Sequence, residues 1–389
     1  MTLKRYLHDL IVEDLAQKMV FLAGPRQVGK TTLAKDIMNE SPAGLYYLWD
    51  NRNDRRELLK AQWPAEPTTV VLDELHKYRK WKQWIKGEFD KYRDHLHFIV
   101  TGSARLDIYR KGGDSLQGRY RHYRLHPFSL NELHHRSNKI IPMKELTFAG
   151  PSHDDALDAL FKYSGFPEPF VGQSTRTHRR WQKDRMDRFF REDVRDLENL
   201  RDLSSIQLLA DLLPERVGSP LSLNSLREDL EVSHKALTHW MDVLENLYYV
   251  FRIRPFASTK IRGLKKEPKA YLWDWTLASD EGARFENMIA SHLLKLCHFL
   301  EDSEGYRIEL HYLRDIQKHE VDFMVAVDRK PWFAVEVKTS SDRVAPALNY
   351  FGSRLKIPFL YQVVLKGERD FMEDGVRVIP AAKFLSGLV

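Results

Sequence analysis

The sequence has 389 residues, of which 43% are hydrophobic, 12% aromatic and 30% charged. This composition excludes a disordered chain and a coiled coil, and the length predicts about two to four domains. The formal net charge of +6 is compatible with nucleic-acid binding but does not establish it.

The chain contains one cysteine, Cys297, and so no intrachain disulfide, as expected for a protein of a reducing compartment. The basic N-terminus is not followed by the apolar core of a signal peptide. No run approaches the roughly 18 apolar residues of a membrane span. We therefore expect a cytoplasmic protein with no membrane partner.

Strand-like and helical patterns alternate at the start of the chain. A helical pattern precedes an apolar strand at Met19–Leu22, which leads into a glycine-containing loop and a helix from Thr31 to about Asn39. Further strand-like runs lie at 45–49, 70–72, 97–100 and 122–125. The alternation predicts an α/β fold in which helices cover a parallel sheet, and we assign it to a first domain over residues 1–135.

The loop after the first strand fits the pattern GxxxxGK[ST] in full. Its glycines let backbone N–H groups approach phosphates, and the helix that it opens favours negative charge at its N-terminus. Lys30 is expected to reach the β- and γ-phosphates and Thr31 to hold Mg²⁺. An ordinary strand–turn–helix connection is the alternative. The predicted ATP-binding residues are Gly24, Pro25, Arg26, Gln27, Val28, Gly29, Lys30, Thr31 and Thr32.

A second signal agrees with the first, because the apolar strand Val70–Leu72 ends in Asp73 and Glu74. Asp73 is expected to hold Mg²⁺, directly or through water. Glu74 is the candidate catalytic residue that polarises the attacking water, since a general base must lie close to the metal without binding it. The alternative is a pair of surface carboxylates at a strand end.

Two later segments offer polar groups to the same site. The strand at 97–100 is followed by Thr101 and Ser103, either of which would orient the water or sense the γ-phosphate, and a simple turn is the alternative. Arg119, with Arg121 as second choice, is the candidate catalytic arginine that reaches a neighbouring subunit's γ-phosphate. The alternative is a surface arginine in a basic loop.

These motifs resemble the AAA-type P-loop ATPase domain of a widespread prokaryotic family, whose members pair it with a C-terminal domain long labelled as of unknown function. The resemblance rests on Gly24–Thr32, Leu72–Glu74, Thr101–Ser103 and Gly118–Arg119, and it continues through Ser164–Pro167 and Tyr271–Asp274. It spans essentially the whole chain. It implies a nucleotide-driven homo-oligomer, often ring-like, with a hexamer as one candidate.

The middle of the chain is predicted to be mostly helical. We assign a helical subdomain to 136–203, interrupted by a turn at Ser164–Pro169. A winged-helix domain is assigned to 204–275, because a short helical pattern over 221–230 is followed by a turn and a second helix over His234–Leu247.

DNA contact is the functional interpretation of this winged helix. Ser233 is a good N-cap for the second helix, and the strand-like runs at 249–253 and 270–273 are candidates for the wing. The exposed start of the helix and the basic segment after it would face DNA phosphates. The alternative is a fold used only for subunit packing. The predicted DNA-binding residues are His234, Lys235, Lys260, Arg262, Lys265 and Lys266, with Ser233, Thr238, His239 and Lys269 as further candidates.

Four residues of the last predicted domain, 276–389, resemble the (D/E)xK core of restriction endonucleases: Glu286, Asp322, Glu336 and Lys338. Glu336 and Lys338 lie two apart on a strand and so share a face, and Asp322 lies on the strand before it. Two carboxylates gather Mg²⁺ while a lysine orients or deprotonates water, and Glu286 joins from a helix. The alternatives are a solvated acidic hairpin and a nuclease-like fold retained without cleavage.

The sequence therefore predicts an oligomeric Mg²⁺-dependent ATPase that binds and remodels or translocates DNA, on branched or single-stranded intermediates of recombination or repair, with nuclease activity left open. The rival is a nucleotide-dependent regulatory switch that controls a protein partner without cutting DNA. Slow turnover that is indifferent to DNA would favour the switch. A chaperone-like remodeller ranks last because no pore-loop motif supports it.

Overall fold

The structure is a computed structural model that describes residues 3–102, 116–134, 139–194, 203–257, 267–341 and 343–389. The chain divides into two compact units, Met1–His126 and Pro127–Val389. The finer division into four domains stays a prediction.

A parallel sheet of five strands forms the middle of the first unit. Its strands are β1 Met19–Ala23, β2 Gly44–Leu48, β3 Thr68–Asp73, β4 Leu96–Thr101 and β5 Tyr120–Arg124, in the spatial order β2-β3-β4-β1-β5. The inner strands β1, β3 and β4 are apolar along most of their length and almost wholly buried, as expected where both faces of a sheet are covered. The predicted α/β fold of this unit is confirmed.

Helices alternate with these strands, and the described residues of the first unit include α1 His8–Leu15, α2 Lys30–Glu40, α3 Arg52–Lys60 and α4 Trp81–Tyr92, with a 3₁₀ helix at Leu75–Lys77. The carboxyl ends of parallel strands meet at one edge of a sheet, which is where such folds bind ligands. Here the register aligns Leu48 with Asp73 and Asp73 with Thr101. The predicted nucleotide residues therefore gather at one edge.

Helices also dominate the first half of the second unit. They are α5 Leu130–Leu133, α6 Asp155–Tyr163, α7 Pro167–Gly172, α8 Thr175–Arg188 with a π-helical extension over Phe189–Val194, α9 Leu203–Leu212 with a 3₁₀ helix at Leu213–Arg216, α10 Leu223–Asp229 and α11 His234–Asn246. The turn predicted at 164–169 is shorter than expected, because Pro167 begins α7, a position that proline favours. Ser233 caps α11 by accepting a hydrogen bond from the Ala236 N–H, as predicted.

An eight-stranded mixed sheet forms the rest of the second unit. Its strands are β6 Val250–Pro255, β7 Lys269–Leu272, β8 Ile308–Arg314, β9 Glu320–Val327, β10 Lys330–Lys338, β11 Phe359–Val364, β12 Phe371–Glu373 and β13 Val376–Pro380, in the order β12-β13-β11-β10-β9-β8-β6-β7. The accompanying helices are α12 Glu281–Glu304, α13 Pro346–Leu355 and α14 Ala381–Leu385, with a 3₁₀ helix at Trp275–Leu277. The predicted wing strands β6 and β7 pair antiparallel, and β6 continues into this sheet beside β8.

The long helix α12 and the hairpin β9–β10 position the predicted acidic residues of this unit. Asp280 caps α12 at its start, and Gly305 ends it with a φ of 74°, a conformation that glycine adopts without strain. The hairpin turns at Asp328 and Arg329, both at positive φ. Helix α12 packs on β7 to β10, and this packing brings its first turns next to the hairpin.

Candidate functional site

The glycine loop joins the end of β1 to the start of α2. Gly24 has a φ of 140°, and a Cβ atom there would lie 2.4 Å from the carbonyl oxygen of Leu125, so only glycine fits. Gly29 begins α2 with a φ of 100°. The loop conformation thus depends on the two glycines that the sequence pattern singles out.

Lys30 is held at the loop itself. Its side chain is buried, and its Nζ atom donates hydrogen bonds to the carbonyl oxygens of Gly24 at 2.9 Å and Pro25 at 2.7 Å. The ammonium group is therefore positioned by the loop that it would serve.

Arg5 supports the same loop and was not predicted from the sequence. Its guanidinium group is buried and donates hydrogen bonds to the carbonyl oxygens of Val28 at 2.7 Å and His126 at 2.6 Å. These bonds connect the loop backbone at Val28 to the chain at His126. Nothing in the local sequence could reveal them, because Arg5 precedes Val28 by 23 positions.

The carboxylate of Asp73 accepts hydrogen bonds from hydroxyl groups of three other elements. Thr31 Oγ1 lies 2.8 Å and Tyr46 Oη 3.0 Å from Oδ2, while Thr101 donates to Oδ1. In the described part of the chain, no lysine, arginine or histidine lies within ion-pair distance of this carboxylate. The predicted partners Thr31 and Asp73 are thus brought together, and Tyr46 is a member that sequence reasoning missed.

An Mg²⁺ ion fits this arrangement chemically. Mg²⁺ prefers oxygen ligands and commonly binds one or two carboxylates together with substrate phosphates and water, rather than a cage made of protein alone. A hydroxyl and a carboxylate oxygen 2.8 Å apart supply the protein share of such a site. Burial, followed by the nearby Asp73 charge, raises the pKa of Tyr46, so its phenol keeps the proton that it donates.

Glu74 lies next to Asp73 in a left-handed backbone conformation, with a φ of 58°. Its Oε2 atom lies 3.5 Å from His76 Nε2 and 3.5 Å from Lys77 Nζ. Among the described residues this buried oxygen has no hydrogen-bond partner. Burial raises the pKa of Glu74, while Lys77 and Lys30 act in the opposite direction. This is a carboxylate with an acceptor oxygen available for a proton.

The prediction for this site also includes Arg119 and Ser103. Arg119 forms a bidentate ion pair with Asp90 of α4, from Nε at 2.7 Å and from Nη2 at 2.9 Å. It is therefore paired within its own chain, and its role toward a neighbouring subunit stays a prediction. Ser103 lies outside the described residues.

The four predicted nuclease-like residues do meet in the second unit. Lys338 Nζ pairs with Glu336 Oε1 at 2.7 Å, and Asp322 Oδ2 accepts from the Val337 N–H at 2.9 Å. Burial, followed by the charge of Asp322, raises the pKa of Glu286 and of Glu336 to about 7. Glu286 and Glu336 therefore both lie close enough to Asp322 to be affected by its charge.

Lys269 of β7 lies among these carboxylates. Its Nζ atom is 2.7 Å from Glu320 Oε1, 3.3 Å from Glu286 Oε1 and 3.6 Å from Asp322 Oδ1. Lys269 is 1% exposed, so its predicted contact with DNA phosphates is wrong: the side chain points inward. In the described residues, no group of three or more His, Cys, Asp or Glu side chains is arranged to hold a metal ion. The cluster as arranged therefore does not fit the divalent metal implied by the (D/E)xK resemblance.

The predicted DNA-binding helix presents polar groups at its start. His234, Lys235 and His239 are exposed, whereas Leu237 and Trp240 are buried with the rest of the predicted apolar face. The basic residues Lys260, Arg262, Lys265 and Lys266 lie outside the described residues.

Residues 16–134 match the protein family described as "AAA domain". The N-terminal part of this chain is thus similar to an AAA domain, and its glycine loop fits the P-loop pattern. Residues 154–281 and 281–384 match two families described only as domains of unknown function, DUF8612 and DUF4143. The three matches together follow the order that the sequence resemblance implies, an ATPase domain before uncharacterised C-terminal parts.

Two curated relatives resemble this chain along most of their length. An uncharacterized protein of Methanocaldococcus jannaschii is 22% identical over 83% of this chain and 75% of its own length. An uncharacterized protein of Mycobacterium tuberculosis is 22% identical over 99% of this chain and 83% of its own length.

Two solved structures show a weaker likeness. A Walker-type ATPase of Pyrococcus abyssi is 15% identical, with a TM-score of 0.43, over 72% of this chain and 95% of the other. A RuvB variant of Thermotoga maritima is 17% identical, with a TM-score of 0.31, over 64% of this chain and 88% of the other. Scores this low decide nothing about the function of this chain. Among the described residues, no helix has both the length and the apolar character needed to cross a bilayer.

Proposed function

We propose that this protein is a Mg²⁺-dependent ATPase that binds and remodels or translocates DNA as a homo-oligomer. The observation that carries the proposal is the 2.8 Å hydrogen bond between Thr31 Oγ1 and Asp73 Oδ2 at the end of a complete glycine loop. Those two oxygens are the protein ligands that Mg²⁺-dependent ATP hydrolysis requires in P-loop enzymes.

Triphosphate binding rests on the loop and on Lys30. The backbone N–H groups of the loop and the N-terminus of α2 favour phosphate oxygens. Lys30 exchanges its bonds to the Gly24 and Pro25 carbonyl oxygens for bonds to the β- and γ-phosphates. The exchange is favourable because hydrogen bonds between two charged groups are stronger than those to a neutral carbonyl.

A bound Mg²⁺ would supply positive charge against the charge that develops on the phosphate oxygens during hydrolysis. Thr31 and Asp73 would hold it. The hydroxyl groups of Tyr46 and Thr101 orient the Asp73 carboxylate from two further strands, so it needs little rearrangement when nucleotide arrives.

Glu74 is proposed to accept the proton of the attacking water. It follows Asp73 directly, and its buried Oε2 has acceptor capacity to spare. Its raised pKa makes it a stronger base than an exposed carboxylate, which favours proton transfer near neutral pH.

Arg119 is proposed to act across a subunit boundary. In this role it leaves Asp90 and approaches the γ-phosphate bound to a neighbouring copy, where it stabilises transition-state charge. The exchange is plausible because both partners of the ion pair are partly exposed, with side-chain exposures of 31% and 44%, and pairs of this kind are weak.

DNA binding is supported by the short helix α10, the turn after it and the exposed start of α11. His234 and Lys235 lie at that exposed start, where a helix–turn–helix module meets DNA. Lysine contacts to phosphates supply affinity rather than sequence choice, so we expect binding that is sensitive to salt and tolerant of sequence.

The test measures phosphate release from ATP with single-stranded, duplex and four-way DNA, alongside electrophoretic mobility shifts. We expect Mg²⁺-dependent hydrolysis that DNA stimulates, and a loss of hydrolysis in Lys30→Ala but not in the matched surface variant Lys60→Ala. Lys235→Glu should weaken the mobility shift while basal hydrolysis persists. Hydrolysis without any DNA binding or stimulation would refute the DNA part and favour the regulatory switch.

A further inference from the structure

The carboxylate cluster of the second unit contains its own cation. The ammonium group of Lys269 contacts Glu286, Glu320 and Asp322 at distances between 2.7 and 3.6 Å. These three acids come from α12 and β9, whereas the lysine comes from β7. One buried side chain thus links three separate elements by its charge.

The groups around Lys269 hinder replacement of its ammonium group by a metal ion. Tyr271 Oη donates to Glu286 Oε1 at 2.7 Å, the same oxygen that faces the ammonium group. On the other oxygen, the backbone of Gly218 approaches so closely that a Cβ atom there would lie 2.8 Å from Glu286 Oε2. Both oxygens of Glu286 are therefore engaged or covered.

Glu320 and Glu336 each form an ion pair with a further basic residue. Arg314 pairs with Glu320 Oε2 at 2.6 Å, and Lys338 pairs with Glu336 Oε1 at 2.7 Å. A divalent metal requires several oxygen ligands directed at one point, without a positive charge between them. An ammonium group at that point repels a second cation and occupies the ligands that it would need.

We propose that Lys269 takes the place of a metal ion in this cluster, so that the second unit binds no divalent cation there and does not cleave DNA. The lysine instead clamps β7 to α12 and β9. This inference is independent of the proposed ATPase function, because it concerns only residues of the second unit.

The test titrates the nucleotide-free full-length chain with Mn²⁺. Electron paramagnetic resonance measures the free Mn²⁺, and the bound Mn²⁺ is obtained by difference. All proteins carry Asp73→Asn, which removes Mn²⁺ binding at the ATP site. We expect no binding at the cluster in this parent protein. Lys269→Met should create one site per chain, at least tenfold tighter than any site of the parent, while the matched variant Lys330→Met on β10 should create none.

Two results would overturn the proposal. One is Mn²⁺ binding by the parent that is lost on adding Glu336→Gln, which decides the matter even if Lys269→Met does not fold. The other is a folded Lys269→Met protein, checked by circular dichroism, that still binds no Mn²⁺. Mn²⁺-dependent nicking of DNA by the parent, abolished by Glu336→Gln, would contradict it as well.

Discussion

The two units each gather acidic side chains, but they neutralise them differently. In the first unit, Asp73 receives hydrogen bonds from hydroxyl groups and no ion pair among the described residues. In the second unit, Glu286 and Asp322 face the buried ammonium group of Lys269. The first arrangement leaves the charge for a metal ion, whereas the second supplies the counter-charge from the chain.

The comparison shows that acidic residues alone do not define a metal site. Hydroxyl groups orient a carboxylate without cancelling its charge, so the affinity for a cation survives. A buried lysine cancels the charge and is itself costly to remove, because an unpaired charge would stay behind.

The largest effect is expected in the first unit, from Glu74→Gln. The amide cannot accept the proton of the attacking water, so the turnover number should fall by about 10³-fold while ATP still binds. Turnover is measured by phosphate release and binding by fluorescent nucleotide titration. Glu57→Gln, at an exposed position on α3, is the matched control. Undiminished turnover in Glu74→Gln would remove Glu74 from the mechanism.

In the second unit, Lys269→Met should lower the free energy of unfolding by about 3–5 kcal/mol, because it leaves buried carboxylates without their partner. Urea unfolding followed by circular dichroism measures the change, and Lys330→Met should cost much less. Mn²⁺ should restore part of the loss in Lys269→Met only, since a ligand of the folded state stabilises it. Equal stability of the two variants would show that the clamp does not exist.

A buried histidine of the second unit makes the stability of the fold depend on pH. His292 Nδ1 donates to the Met288 carbonyl oxygen at 2.8 Å and Nε2 accepts from the Leu130 N–H at 3.4 Å, so the ring is neutral in the fold. Burial lowers the pKa of His292 from 6.5 to about 4. Between these values the unfolded chain binds more protons than the folded chain, so stability falls as the pH drops from 6.5 to 4.

His292→Gln removes this titration. The variant should lose about 3 kcal/mol less of its unfolding free energy than the wild type over that pH range, since each pKa unit corresponds to about 1.4 kcal/mol. Denaturant titrations at several pH values measure the two slopes, and the exposed residue His239 provides the control His239→Gln. Parallel slopes in all three proteins would mean that His292 does not titrate as proposed.

The smallest effect is expected from Tyr46→Phe in the first unit. Loss of one hydrogen bond to Asp73 costs about 1 kcal/mol, so the Mg²⁺ concentration for half-maximal hydrolysis should rise about fivefold. Tyr47→Phe, on the next residue of β2 and packed against the core, should leave it unchanged. An unchanged requirement in Tyr46→Phe would limit the role of Tyr46 to packing.

Much of the first site could be predicted because its parts are local in sequence. Gly24 to Thr31 form one continuous loop and helix start, and Asp73 and Glu74 are adjacent at a strand end. Their meeting follows from parallel strands alone. Tyr46 and Arg5 could not be predicted, since their contacts depend on the register of β2 and on a chain segment far from the loop.

The acidic cluster of the second unit shows why the prediction for Lys269 was wrong. The sequence pattern correctly brought Glu336, Lys338, Asp322 and Glu286 together. Lys269 was wrongly grouped with a basic segment for DNA, because a charge run usually faces solvent. Its burial is decided by the pairing of β7 with β6 and the packing of α12 over β7, which no short pattern records.

The decisive measurement is phosphate release from ATP by the purified protein, with and without Mg²⁺. We expect hydrolysis that requires Mg²⁺ and disappears in Asp73→Asn, yet persists in Asp322→Asn. An absence of nucleotide binding and hydrolysis in the folded wild-type protein, or hydrolysis that survives Asp73→Asn, would contradict it.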